Sequence, residues 1–159
     1  MTSQFKTFFE DSPLALKAAH SIKDGKEIAL TIVSKNAEHS EEHLTFVKIK
    51  GQNRIEERQS RRADLTFIIP HASALDLVTQ EFDTVGQVGL FIFDRIITDD
   101  STQKIQVKLN CGVLSLMTGG YLGILGAGGT EVAQYLATKG LGSLGKIKET
   151  ISKLKGTSP

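Results

Sequence analysis

Cysteine is nearly absent from the sequence, and neither sign of charge is in large excess. Cys111 is the single cysteine, so the chain can form neither an intramolecular disulfide nor a four-cysteine zinc site. The formal net charge is +1, whereas dedicated nucleic-acid binders carry a basic excess that neutralises phosphates. A chain of 159 residues can bury roughly two-thirds of its unfolded surface, so it needs no such cross-link. We therefore expect one ordinary globular core and no nucleic-acid partner.

The composition of the first thirty residues does not predict a secretory signal peptide. The first thirty residues contain four acidic side chains and no apolar run bounded by small residues, so we expect a cytoplasmic location. The longest uncharged stretch, residues 109–130, has 22 positions and could cross a bilayer by length alone. Seven of those positions are glycine, however. A buried helix followed by a glycine-rich loop is therefore favoured over a membrane span.

Charge and glycine are distributed unevenly along the chain. Residues 1–100 carry 12 Lys and Arg against 16 Asp and Glu, a balance of −4. Residues 101–159 carry 7 against 2, a balance of +5, and ten of the fifteen glycines lie between Gly112 and Gly145. We interpret the acidic part as most of the sheet, and the clustered glycines as hinges around a mobile cover.

Hydrophobic periodicity predicts four strands and several helices. The predicted strands cover residues 27–33, 43–50, 64–69 and 104–109, because apolar residues alternate there. The predicted helices cover residues 13–22, 73–82 with Ser73 as the cap, 113–125, 130–139 and 146–155. By period alone, residues 85–97 fit either a helix or a strand, and the charged stretch over residues 51–62 reads as a link between strands.

Three short motifs resemble catalytic or nucleotide-binding signatures, but each lacks the surroundings that its chemistry requires. Residues 39–43 match an inverted zinc-peptidase pattern that needs a helical turn, yet they fall in a polar link between strands. Residues 140–146 have the spacing of a Walker loop, but Ile147 replaces the hydroxyl that holds magnesium. Residues 124–132 imitate the start of a dinucleotide fold, with Glu131 where a small residue belongs. We expect no catalytic residue, no metal and no cofactor.

A strand, two helices and a second strand follow one another in the middle of the chain. The first strand reads Ala-Asp-Leu-Thr-Phe-Ile-Ile over residues 63–69, and a helix over residues 71–80 follows it. The second strand reads Ile-Gln-Val-Lys-Leu-Asn-Cys-Gly over residues 105–112 and leads into an apolar helix. This order resembles the sterol carrier protein type 2 family over roughly residues 26–122. The charged stretch at 51–62 and the glycine-rich tail depart from the family pattern.

The resemblance implies an α+β domain with a curved, mostly antiparallel five-stranded sheet and helices on one face that enclose an apolar tunnel. It implies that residues 85–97 are helical. We expect the carrier domain, including the N-terminal helix, to cover residues 1–125, and a glycine-rich, basic helical extension to cover residues 126–159. The implied tunnel lining comprises Phe67, Ile69, Leu75, Val78, Phe91, Ile92, Leu114, Met117 and Tyr121. Such a site gains about 0.8 kcal/mol for each methylene removed from water, so it needs no polar signature.

The C-terminal helix has two interpretations. Its apolar residues Ile147, Ile151 and Leu154 share one face. The lysines around that face, which suit an anionic membrane surface, are Lys146, Lys148, Lys153 and Lys155. A terminal helix packed on the domain, with its lysines in solvent, is the favoured interpretation, because one short stripe binds membranes weakly.

The sequence favours a non-catalytic protein that binds, transfers or presents a hydrophobic lipid. The implied ligands are a fatty acid, an acyl-CoA, a phospholipid, a sterol or an isoprenoid, with peripheral contact to an anionic membrane as a further partner. One alternative is a protein-interaction module with the same fold and a filled core. A third is a nucleotide-dependent enzyme that uses the glycine-rich tail, with Gly128 and Lys146 at its site.

Overall fold

A five-stranded mixed sheet forms the centre of the molecule. The computed structural model describes residues 1–34 and 40–140, together with Glu149 and Lys153. The strands are β1 (Glu27–Val33), β2 (Glu41–Ile49), β3 (Gln52–Glu56), β4 (Leu65–Pro70) and β5 (Gln106–Leu109). Their order across the sheet is β3-β2-β1-β4-β5, with β1 and β4 parallel and the other neighbours antiparallel. The predicted α+β class and the mostly antiparallel sheet are confirmed.

Helices precede the sheet, connect β4 to β5, and follow β5. They are α1 (Thr2–Lys6), a π-helical segment (Thr7–Asp11), α2 (Pro13–Ala18), α3 (His71–Thr79), α4 (Val85–Ile97), α5 (Val113–Thr118), α6 (Leu122–Ala127) and α7 (Gly129–Thr138). The Thr84 hydroxyl accepts the Gln87 N–H at 3.1 Å and caps α4, so the ambiguous segment is a helix. Ser73 is not a cap, because α3 begins at His71 and the buried Ser73 hydroxyl donates to the Gln103 carbonyl at 2.7 Å.

Strand β3 lies inside the segment predicted to be a charged link. It pairs with β2 through a two-residue hairpin in which Lys50 and Gly51 have φ values of +49° and +75°. Positive φ at both central residues gives the turn whose twist matches that of the flanking strands. The buried positions of β3 are Asn53 and Ile55. The prediction of a link was wrong because a polar residue occupies one of the two buried positions and hides the alternation.

The sheet has an apolar face covered by helices and a more polar opposite face. Leu30 and Ile32 of β1 belong to the buried core, together with aromatic rings from the N-terminal helices. The rings of Phe9 and Phe46 pack edge to face with centroids 6.1 Å apart. On the opposite face, the Thr45 hydroxyl donates to the carbonyl of Arg58 at 2.8 Å, so the loop after β3 covers part of that face.

A buried lysine joins the N-terminal helices to the β2–β3 hairpin. The Lys48 ammonium donates to the Ala19 carbonyl at 3.1 Å and to Asn53 Oδ1 at 2.9 Å. The Asn53 amide donates in turn to the Phe9 carbonyl at 2.9 Å. Burial lowers the pKa of Lys48, but its hydrogen bonds satisfy the buried ammonium.

The uncharged stretch over residues 109–130 is divided among β5, α5, α6 and α7. Among the described residues, no helix is long and apolar enough to cross a bilayer. Gly120 has φ +89°, and the Ser21 hydroxyl donates to its carbonyl at 2.7 Å. A Cβ on Gly120 or Gly123 would overlap Ser21. These two glycines are therefore contact points between packed segments, and the interpretation of the cluster as hinges is wrong for them.

Helix α7 packs along α4. The Tyr135 hydroxyl donates to Asp94 Oδ1 at 2.5 Å, and a Cβ on Gly86 would lie 2.5 Å from a carboxylate oxygen of Glu131. The boundary drawn between residues 125 and 126 falls within α6. The division into a domain and an extension stays a prediction, since most of the helix expected over residues 146–155 lies outside the described residues.

Candidate functional site

The nine residues implied to line a tunnel divide into a packed group and a partly exposed group. Four of them lie in the buried core or pack against it: Phe67, Ile69, Val78 and Tyr121. The others keep contact with solvent on α3, α4 and α5: Leu75, Phe91, Ile92, Leu114 and Met117. Leu75 is 39% exposed and Leu114 is 73% exposed. The structure therefore packs the first group in or against the core and leaves the second group, here called the apolar layer, partly exposed on three helices.

An open groove of about 410 Å³ lies between the N-terminal helices and α3. Its lining residues are Ser3, Gln4, Thr7, Phe8, Asp11, Ser12 and Val78. Val78 belongs to the set implied by the resemblance, while the other six lining residues belong to the N-terminal segment, and most of the lining surface is apolar. The groove is an open surface depression, which differs from the enclosed apolar tunnel that was expected.

Tyr121 is fixed to the end of the sheet by its hydroxyl. That hydroxyl donates to Asp64 Oδ2 at 2.8 Å, and the Lys26 ammonium lies 3.1 Å from the same oxygen. Burial, together with the nearby Asp64 carboxylate, raises the pKa of Tyr121 well above its usual range. The phenol therefore remains a hydrogen-bond donor at any physiological pH. Asp64, noted in the sequence only as part of the family-like strand, holds the turn between α5 and α6.

Replacing Tyr121 with phenylalanine should lower the free energy of unfolding by roughly 2 kcal/mol, because a hydrogen bond to a charged group is lost in a buried place. Urea denaturation followed by circular dichroism measures the change. Tyr135→Phe is the matched control, since its hydroxyl also bonds an aspartate but at an exposed position. Equal losses in the two variants would contradict a special role for the Tyr121 contact.

Arg95 on α4 is a residue that the sequence analysis did not single out. Its Nη2 atom lies 3.2 Å from Asp76 Oδ2 on α3. Its guanidinium carbon lies 4.8 Å from the centre of the Phe91 ring, which packs edge to face with Phe82 at 5.7 Å. Arg95 follows Phe91 by four residues, a spacing that puts both on one helix face. That spacing, next to an apolar run, is the signal that could have identified it.

The zinc motif and the dinucleotide motif do not have the structures that their chemistry needs. Glu41 to His43 lie in β2, and His39 lies outside the described residues. Within the described ranges, no group of His, Cys, Asp and Glu side chains is arranged to hold a metal ion. The residues before Gly126 form helix α6, where a dinucleotide fold requires a strand.

The predicted tail lies mostly outside the described residues. Gly142, Gly145, Lys146, Lys148 and Lys155 lie outside the described residues. Lys153 is described and exposed, and its ammonium pairs with Glu149 at 2.8 Å. Contact of this tail with an anionic membrane stays a prediction.

The chain is similar to two solved structures at low sequence identity. No family model matches the chain, and no curated protein matches it significantly. One solved structure is the sterol carrier protein domain 2 of Helicoverpa armigera, with 14% identity, a TM-score of 0.40, and coverage of 79% of this chain and 85% of that chain. The other is a UbiJ-SCP2 ubiquinone synthesis protein, with 18% identity, a TM-score of 0.39, and coverage of 79% and 90%. With such TM-scores, neither alignment transfers a ligand or a binding residue to this chain. Both proteins are named for the sterol carrier protein 2 domain, the family that the motifs of residues 63–112 resemble.

Proposed function

We propose that this protein binds a hydrophobic lipid, without catalysis, on the apolar layer formed by α3, α4 and α5. In this proposal the lipid is carried or presented, and its chain lies against side chains that the protein leaves incompletely covered. The sequence motifs that suggested this function resemble the sterol carrier protein type 2 family, and the two similar solved structures carry the name of that domain.

The observation that carries the proposal is the exposure of large apolar side chains on α3, α4 and α5. Leu114 of α5 and Leu75 of α3 are exposed, and Ile97 at the end of α4 is 46% exposed. Phe91 and Ile92 of α4 are half-buried. Removing apolar surface from water gains about 25 cal/mol for each Å², so a long acyl or isoprenoid chain would be held there mainly by burial.

A second candidate is an interaction module with a filled core. It is favoured by the packing of Ile69 and Tyr121, which were implied to line a tunnel and instead lie in the buried core. In that case the exposed apolar layer would contact a protein, and a stable protein partner would be recovered with the chain.

The first test asks whether a lipid is present. Native mass spectrometry and organic extraction of the purified protein should reveal a co-purifying lipid, and a fluorescent fatty acid should bind and be displaced by unlabelled lipid. Absence of both a co-purifying lipid and fatty-acid binding would exclude the lipid proposal and leave the interaction module.

The second test locates the binding surface. Leu114→Gln should weaken fatty-acid binding by up to about tenfold, because one leucine contact is lost from the layer. Ile49→Gln is the matched control, since Ile49 is also exposed but lies at the end of β2, outside the helical layer. If the two substitutions have equal effects, the ligand does not lie on the helical layer.

A further inference from the structure

A buried hydrogen-bond donor on α4 lacks a partner among the residues that the structure describes. The Nε atom of Arg95 is shielded from solvent, and no group within residues 1–34 and 40–140 accepts a hydrogen bond from it. An unpaired buried donor is unfavourable, and such groups are ordinarily satisfied by water or by a bound molecule. Arg95 therefore has hydrogen-bonding capacity that its described neighbours do not use.

The same guanidinium lies beside one of the residues proposed to hold a lipid. It stacks over Phe91 of α4 and pairs with Asp76 of α3. The Arg95 side chain is 24% exposed and the Asp76 side chain is 49% exposed. A positive charge therefore lies against Phe91 of the apolar layer, and the Asp76 carboxylate that pairs with it is half-exposed.

We propose that Arg95 binds the anionic group, a carboxylate or a phosphate, of a lipid whose apolar chain lies on α3 and α4. The Asp76 carboxylate pairs with the Arg95 guanidinium when no lipid is bound, and it turns toward solvent when the anionic group of the lipid binds Arg95. A guanidinium suits this role because its planar fork donates two parallel hydrogen bonds to a carboxylate or a phosphate. The inference rests on the proposed function and narrows the ligand from any hydrophobic lipid to an anionic one.

The test compares three ligands that share one apolar chain: dodecanoate, dodecyl phosphate and dodecanol. Each displaces Nile red, a neutral dye, from the purified full-length chain. At least one of the two anions should displace the dye at a concentration about tenfold lower than the alcohol does. The preferred anion tells whether a carboxylate or a phosphate is bound.

Two substitutions should move this preference in opposite directions. Arg95→Gln should remove the advantage of the anion and leave displacement by dodecanol unchanged. Asp76→Asn should strengthen binding of the anion, because the competing carboxylate is gone. Lys139→Gln is the control: it removes a positive charge that stacks on Tyr135 at 5.5 Å on α7, and it should keep the preference.

Circular dichroism tests whether each variant is folded. If Arg95→Gln does not fold, the anion preference of Asp76→Asn serves as the test. Equal displacement by all three ligands in the unmodified protein would overturn this inference while leaving the proposed function in place. An unchanged anion preference in folded Arg95→Gln, or in Asp76→Asn, would also overturn it. Failure of all three ligands to displace the dye would overturn both this inference and the proposed function.

Discussion

Replacing Glu27 with glutamine is expected to lower the free energy of unfolding by roughly 3 kcal/mol near neutral pH. The Glu27 side chain at the start of β1 is 1% exposed. It accepts hydrogen bonds from Arg58 at 3.0 Å, from Ser60 at 2.5 Å and from Arg62 at 3.0 Å. Hydrogen bonding by Arg58 is the main cause that lowers the pKa of this carboxyl from 4.5 to about 2, against the opposing effect of burial. Glutamine keeps the shape but loses the charge that holds both arginines.

The pH dependence gives the same prediction a second, independent readout. Because the pKa of Glu27 is lower in the folded protein, its contribution to stability is complete above the unfolded value of 4.5. The contribution is lost as the pH falls toward about 2, where the folded carboxyl itself becomes protonated. Unfolding curves of the unmodified protein and of Glu27→Gln should therefore converge over this acid range and stay apart above it.

Glu56→Gln is the matched control for this carboxylate. Glu56 also pairs with Arg58, at 2.6 Å, but its side chain is 40% exposed. Exposed ion pairs contribute about 1 kcal/mol or less. A loss in Glu27→Gln no larger than in Glu56→Gln, or a gap between curves that does not close in acid, would show that Glu27 does not hold the loop after β3.

Replacing Gly120 with alanine is expected to lower the free energy of unfolding by about 3–5 kcal/mol. Two physical effects add here. The φ angle of +89° is unfavourable for any residue with a Cβ, and that Cβ would overlap the Ser21 carbonyl group, whose carbon lies 2.7 Å away. Neither partner can move easily, because the Ser21 hydroxyl and the Lys23 N–H already bond to the carbonyls of Gly120 and Gly119.

Substitutions at two other glycines separate the backbone strain from the steric overlap with Ser21. Gly25→Ala has a similar φ of +81° with open space around it, so it should show the backbone strain alone, about 1–2 kcal/mol. Gly126→Ala lies within α6 and meets nothing within 4 Å, so it should be neutral or stabilising by up to about 1 kcal/mol. Thermal unfolding measures all three. If Gly120→Ala is no worse than Gly25→Ala, the close approach to Ser21 does not exist in solution.

The local sequence pattern was enough to predict a strand where apolar residues alternate regularly and one face of the strand is buried. Strand β1 was predicted with the same bounds, and β4 and β5 within about two residues, because their apolar residues recur at every second position. Local pattern failed for β3, whose buried positions are shared by Asn53 and Ile55. The buried Asn53 accepts a hydrogen bond from the nearby Lys48 and donates one to the Phe9 carbonyl, 44 positions away, and no short window can show the second contact.

The candidate site shows the same limit. The sequence pointed to Phe91 and Leu75 as large apolar residues on neighbouring helices, and the structure leaves both partly open to solvent. It did not point to Arg95, because a single arginine in a helix is ordinarily a solvated surface residue. Only the approach of α3 to α4 brings Asp76 and Arg95 together and shields one guanidinium nitrogen.

By itself, the sequence determined most of the strands and excluded an intramolecular disulfide, because these depend on periodicity and composition along the chain, while the fold class followed from the resemblance to the sterol carrier protein type 2 family. The tertiary structure alone decided which polar groups meet: Glu27 with two arginines more than thirty positions away, and Gly120 with Ser21. It also decided that the expected tunnel lining divides into residues packed in or against the core and a partly exposed apolar layer. Alternation reports that a residue is shielded from water, but a packed neighbour and a bound chain shield it equally well.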